Sequence, residues 1–479
     1  MRPTRKGARS LMAIVLGGAP LLAGAGEAVA QGGDRVSRYV TTAEPVVALT
    51  HATVLDGTGS PARRDQTIVI RDGRIAAVGD ASSVQVPQGA RVIDAAGHTV
   101  IPGMVGLHDH LYYTAAGGRS AQLGFTAPRL YLGSGVTTVR TTGSRNAYAE
   151  INLRHEIEAG REVGPRIHIT APYITGGAGA TSMTLLNSPE EARRFVSYWA
   201  AEGATWLKAY TNIRRAELGA AIEEAHRQGI KVTGHICSVS FTEAVDLGID
   251  NIEHGLLTNT DYDPDKVPDE CSPNAVVRSG SVDPASPEVQ ATFRKMIEND
   301  VPMTSTLAVY ELFVPGRPTK DARSLEAMAP EVRESYLAAR RQIDESGQGI
   351  SLQAFRNAMA YERAFVEAGG LLAAGVDPTG NGGALPGYGD QRNYELLREA
   401  GFTPEETVRI VSANGAAVLG LGDDLGTVEA GKLADLVLLR GDLTGSDGVI
   451  RDVVTVFKGG VGFASARLLE DVKGLVGIR

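Results

Sequence analysis

From about Met104 to Leu421 the apolar positions change period repeatedly: short runs of Val, Ile, Leu and Ala with strand character give way to longer stretches spaced at three and four residues, and the cycle then restarts. Eight runs read as strands: MVGLHDH, GVTTVRTTG, RIHITAPYI, TWLKAY, IKVTGH, IDNIEH, VPMTSTLAV and LLAAGVD. Strand-then-helix alternation points to parallel strands joined by crossover helices, and eight such strands suit an α/β fold of the (β/α)8 TIM-barrel type. Local signals support the helices between them. Ser188-Pro189-Glu190-Glu191 offers a cap, a proline in the first turn and an acid three residues after the cap, opening a helix to Glu202. RRAELGAAIEEAHRQG ends on Gly229, as a glycine-terminated helix does. Two intervals, Gly255 to Asp300 and Glu311 to Gly369, exceed simple connections, and the first, rich in Asp, Pro, Asn and Ser, reads as an extended loop at the barrel mouth.

The flanks have a different pattern. Val46 to about Pro102 reads as consecutive short strands, with Asp72-Gly73 between two β-branched runs marking a two-residue hairpin. GKLADLVLLRGD and RDVVTVFKGG are again strand-like beyond the last helix. Strands at both ends of a barrel chain can join, so the expected division is 31–103 and 422–479 as the two parts of a small composite β-sandwich domain, with 104–421 as the barrel.

Composition adds three points. The first 30 residues carry Arg2, Arg5, Lys6 and Arg9, then an apolar run from Leu11 to Ala25, then Ala28-Val29-Ala30, which is the pattern of a cleaved signal peptide. The apolar run is shorter than the roughly 20 residues of a membrane span, so no stable span is expected after processing and the mature chain is expected in the periplasm or secreted. The formal charge of −9 has no basic stripe to neutralise phosphates, which argues against nucleic acid. Cys237 and Cys271 are the only cysteines; they are able to pair in an oxidising compartment, and connectivity stays open because it depends on geometry.

Candidate chemistry gathers at the ends of the strands. In His108-Asp109-His110 both imidazoles share a strand face and can grip one cation. His235 ends IKVTGH, His254 ends DNIEH and Asp377 ends LLAAGVD. Thus four of nine histidines, with a carboxylate, stand at the strand tips where barrels of this type build active sites. His51, His98, His155, His168 and His226 do not fall on such tips.

The segments VIPGMVGLHDH, GVTTVR, TWLKAY, VTGH, NIEHG, LAAGVD and VSANGAAVLGLGDDLGTVEAGKLADLVLL together resemble the amidohydrolase superfamily over nearly the whole mature chain, most like its prolidase-like and imidazolonepropionase-related branch. The resemblance implies two divalent metal ions, zinc being best suited to the donor set, with His108, His110 and Asp377 on one and His235 and His254 on the other. It also implies that Lys208 bridges them as a carbamate, since an ammonium has no lone pair to offer a cation. Asp377 would serve as the proton carrier while a metal-activated hydroxide attacks the amide of a dipeptide or N-acyl amino acid. The partner is then a small-molecule amide, and a homo-oligomer is expected. A substrate carboxylate would meet Arg140, Tyr112, Tyr113 or Tyr210, each near a strand tip. Rival readings are a single-metal deaminase or cyclic-amide hydrolase, which has no need of a Lys208 bridge, and a lactonase or esterase on the same site. A non-catalytic protein on this fold ranks last, because no ligand position is missing.

Overall fold

The computed structural model describes residues 35–114, 119–177, 183–317, 321–379 and 383–478, so the expected signal peptide lies outside the described residues. Eight strands alternate with helices in the central part of the chain, and they are labelled here β1 (Met104–Asp109), β2 (Val136–Thr141), β3 (Arg166–His168), β4 (Trp206–Ala209), β5 (Lys231–Gly234), β6 (Asn251–Glu253), β7 (Met303–Ser305) and β8 (Leu372–Ala374). All neighbouring pairs are parallel. The hydrogen-bonded ladder is not one unbroken ring: β3-β2-β1 form one sheet, and β4 to β8 belong to another with two short strands, Ile174–Thr175 and Thr184–Leu185. The two sheets meet twice. The chain beyond β3 bridges to β4 between Thr170 and Trp206, and the Asp377 N–H just after β8 donates to the His108 carbonyl at 2.7 Å. This is a TIM-barrel-type α/β arrangement.

The local signals correspond to observed elements. The Ser188 hydroxyl accepts from the Glu191 N–H at the start of the helix Pro189–Ala201. The helix Arg215–Arg227 is followed by Gly229 at φ 73°. The interval after His254 departs from expectation, since it contains the helix Pro287–Glu298 capped by Ser286 and is not loop throughout. The second long interval holds the helices Ala322–Ala327, Pro330–Ser346 and Leu352–Glu367.

Strands from both chain ends pair in one nine-stranded sheet, whose path runs Val40–Thr42, Val461–Ala464, Val453–Lys458, Leu436–Arg440, His98–Pro102, Val46–Val54, Arg63–Arg71 and Arg74–Asp80, with Arg91–Asp94 attached to Val46–Val54. The expectation was a sandwich; the hydrogen bonding describes a single sheet. Its period-two alternation sets the packing: Leu436 and Leu438 join Val47, Leu49, Ile68, Ile70, Val100 and Phe457 in a core of its own, whereas Val437 and Leu439 pack into the barrel core. At Asp72-Gly73 both residues take positive φ, 49° and 81°, as a two-residue turn between paired Arg71 and Arg74 requires.

Cys237 and Cys271 form a disulfide across 34 positions. It ties the segment just after β5 to the excursion that follows β6. Among the described residues no helix is long and apolar enough to cross a membrane.

Candidate metal centre

The side chains of His108, His110, Lys208, His235 and Asp377 line one cavity of about 170 Å³ at the C-terminal ends of the strands, together with Tyr112, Thr114, Arg145, Tyr173, Met183, Tyr210 and Thr379. His254 adjoins it: its ring centroid lies 4.4 Å from that of His108 and 4.2 Å from that of His235. Ligating atoms of His108, His254 and Asp377 all fall within 4.8 Å of one another, and His110 Nε2 reaches Asp377 Oδ1 at 3.1 Å. Residues as far apart in sequence as His108 and Asp377 therefore converge on one point.

Three imidazoles are oriented by their outward nitrogens. His108 Nδ1 bonds Glu253 Oε2 at 2.8 Å, His110 Nδ1 contacts the Gly143 carbonyl at 3.2 Å, and His254 Nδ1 bonds Thr306 Oγ1 at 2.8 Å. With Nδ1 held from outside, Nε2 of each ring is the atom directed at Asp377, at 3.6 Å for His108 and 4.0 Å for His254. For His108 and His110 the partner behind the ring is an acceptor, which puts the proton on Nδ1 and a lone pair on the inward Nε2, as outer-shell partners do for metal-binding histidines. His254 Nε2 and Lys208 Nζ are buried with no hydrogen-bond partner among the described residues, and a buried polar atom left in this way calls for a group to engage it.

Electrostatics agree with that donor character. Burial first, then the Lys208 charge, pushes the His108 imidazole well below the ordinary histidine value and His235 down to about 3. Burial together with the His235 and His108 charges does the same to His254. Burial also lowers Lys208 to about 8, partly offset by Glu253 and Asp377. Burial would raise the Asp377 carboxyl, but His108, His110 and Lys208 outweigh it and hold it below the usual carboxylate range. Neutral imidazoles and an ionised carboxylate are what a cation requires, and a lysine brought down to about 8 releases its proton far more readily than an exposed one.

Backbone strain accompanies the site. His254 at φ 72° and Asp377 at φ 52° occupy the left-handed region, which costs a non-glycine residue on the order of 1–3 kcal/mol and persists only where surrounding structure enforces it.

The proposed substrate contacts divide. Tyr112 and Tyr210 line the cavity, and the Tyr112 hydroxyl shares a 2.6 Å hydrogen bond with Tyr173. Tyr113 does not line it: strand alternation turns it to the other side, into the barrel core. Arg140 is also a correction, because its guanidinium lies wholly inside the barrel, at 2.5 Å from Glu253 Oε1, 3.1 Å from Asn251 Oδ1 and 2.8 Å from the Leu107 carbonyl. A cation so engaged is not presented to the cavity. Arg145, four residues beyond the end of β2, is the arginine that lines it.

Sequence reasoning passed over Glu253, Thr306, Tyr173 and Arg145. For Glu253 the available signal was an acid inside an apolar strand next to a candidate ligand; for Arg145 it was a position on the rim loop after β2.

Comparison with known proteins follows the same line. The sequence profile of the Amidohydrolase family matches residues 99–268 and 371–461. The chain is 26% identical over 392 residues to an enamidase of Eubacterium barkeri, covering 79% of this chain and 82% of that protein. It is 32% identical over 150 residues to an imidazolonepropionase of Salinispora arenicola, covering 31% and 35% respectively. Among solved structures, a Xaa-Pro dipeptidase with bound methionine in its active site superposes with a TM-score of 0.66 at 20% identity over 88% of this chain and 100% of that one. The ochratoxinase of A. niger gives 0.62 at 16% identity, over 88% and 95%. With a profile match spanning more than half of its length, the chain belongs to the amidohydrolase family and is a hydrolase of carbon–nitrogen bonds.

Proposed function

We propose that this enzyme holds two divalent metal ions, zinc best matching the donors, and cleaves the amide bond of an N-acyl amino acid or dipeptide. The observation that carries this reading is the convergence of His108, His110 and His254 on Asp377, each imidazole held from behind. In this reading His108, His110 and Asp377 would hold one ion and His235 and His254 the other, with Lys208, once carboxylated, as a donor shared between them. When bound, such ions supply Lewis acidity, which polarises a carbonyl and makes water acidic enough to attack it near neutral pH.

The chain's own residues carry the remainder. The Lys208 ammonium, lowered by burial to about 8, first gives up one proton; the neutral amine then forms one N–C bond to carbon dioxide and loses a second proton, leaving an anion with two oxygen donors. Asp377, ionised and in contact with His110 Nε2, accepts the proton of the attacking water and passes it to the leaving nitrogen. Tyr112, Tyr173 and Tyr210 wall the cavity and limit the water that reaches the scissile bond. Glu253 fixes the His108 ring, and Arg140 neutralises Glu253 inside the barrel. An exported enzyme, periplasmic or secreted, is part of the proposal, and the Cys237–Cys271 bond supports it because such bonds persist in oxidising compartments.

A single-metal reading is favoured by one observation, the grouping of His108, His254 and Asp377 around one point. Assaying N-acyl amino acids and dipeptides with the wild-type and Lys208→Ala proteins tests the proposal. Release of an amino acid by wild type, with kcat/KM reduced at least about 100-fold in the variant, is expected for a residue on which the metal pair depends. Full activity without Lys208 would remove the bridge and leave the single-metal reading.

A further inference from the structure

The cavity's charges are uneven. Arg145 is half-buried at its wall with its guanidinium carbon 4.6 Å from the centre of the Tyr112 ring. Its Nε is buried and without a hydrogen-bond partner, and among the described residues no carboxylate pairs with it. That distinguishes it from Arg140, whose guanidinium is fully engaged. A guanidinium over an aromatic ring, with its Nε unpartnered, fits a planar carboxylate.

On the acidic side, Asp377 is the one carboxylate among the described lining residues, and it is engaged with His110 and His108. An α-ammonium, charged near neutral pH since such groups titrate at about 7.7–8.0, would enter a pocket whose described lining offers a cation and three tyrosines but no free acid. Burying it unpaired is strongly disfavoured. An acylated nitrogen has no charge and no such cost.

We infer that Arg145 recognises the carboxylate of the substrate, and that the site takes an N-acylated amino acid in preference to a dipeptide with a free amino terminus. This rests on the amide-hydrolase reading above and chooses between its two substrate classes. Arg145 is thus a specificity residue, and the Tyr112 ring lies against its guanidinium at the cavity wall.

Three compounds that share one leucine test this on the metal-loaded enzyme: N-acetyl-leucine, glycyl-leucine and N-acetyl-leucinamide. Wild type is expected to prefer N-acetyl-leucine to both. In Arg145→Met the ratio of kcat/KM for N-acetyl-leucine over N-acetyl-leucinamide should fall by about 10- to 100-fold, mainly through KM, as loss of a charge-assisted hydrogen bond implies. Arg145→Lys should recover part of the ratio, because it restores the charge without the fork. A merely structural role for Arg145 would lower all three compounds alike and leave the ratio unchanged, which would overturn the inference; so would a wild-type preference for glycyl-leucine. If none of the three is cleaved, the amide-hydrolase reading is what fails. Calorimetric titration of the same uncleaved compounds onto wild type and Arg145→Met then decides the Arg145 claim separately: tighter N-acetyl-leucine binding that the substitution abolishes supports it, and binding indifferent to the substitution contradicts it.

Discussion

Replacing Glu253 by Gln should damage the metal centre from outside it. Glu253 is fully buried and accepts from Arg140 at 2.5 Å, from Thr233 and from His108 Nδ1 at 2.8 Å. A carboxylate takes all of these as an acceptor. An amide has one oxygen and one NH2 group, so if the NH2 faces Arg140 two donors oppose each other, and if it faces His108 the ring must move its proton to Nε2 and loses the lone pair aimed at the site. Removing one partner from a buried ion pair costs about 3–5 kcal/mol, and losing an outer-shell carboxylate costs about 10- to 100-fold in metal affinity. Chemical denaturation of the metal-free protein reads the first effect, and chelator competition reads the second. Arg140→Met leaves Glu253 uncompensated and should cost a similar amount, while the double variant should lose clearly less than the sum of the two, as coupled groups do. Stability within about 0.5 kcal/mol of wild type, the spread of ordinary surface changes, together with unchanged metal affinity, would refute the claim that Glu253 and Arg140 position His108.

Two further outcomes follow from groups away from the cavity. Glu362, on the helix Leu352–Glu367, is buried with Oε2 unpartnered, and burial raises its carboxyl to about 8. A raised folded value means that its stabilisation is full below the unfolded value of 4.5 and is lost as pH climbs through 8. Glu362→Gln cannot ionise, so its stability relative to wild type should rise by up to about 4 kcal/mol between pH 5 and pH 8; an equal difference at both pH values in urea titrations would contradict this. Cys237→Ala with Cys271→Ala opens a loop of 34 residues and should cost about 3–4 kcal/mol by loop entropy, seen as an earlier denaturation midpoint in the variant than in oxidised wild type. An unchanged midpoint would mean that the excursion after β6 holds its place without the bond.

The parts of this structure that repeat were open to reading in the sequence. The alternation of apolar periods marked all eight barrel strands, because burial on both faces leaves a continuous apolar run, and the ligand candidates stood out because charged or imidazole side chains at the ends of such runs have few structural uses. Contacts between distant segments were not legible in the same way. Arg140 and Arg145 are both near the end of β2, and only three-dimensional placement shows that one faces inward to Glu253 and the other lines the cavity. Tyr113 carried a warning in its own alternation with Tyr112, since adjacent strand residues point to opposite sides. The Ser286-Pro287-Glu288 cap was visible in principle but was outweighed by the Asp, Pro and Ser content around it. Carbonyl and hydroxyl supports such as Gly143 and Thr306 leave no trace in composition, and neither does the left-handed backbone of His254 and Asp377.

Elemental analysis of the protein purified with bicarbonate and divalent metal tests the centre most directly. Close to two metal equivalents per chain in wild type, falling to one or fewer in Lys208→Ala, is the predicted result. A wild-type chain that retains no metal, or a Lys208→Ala protein that still binds two equivalents, would contradict it.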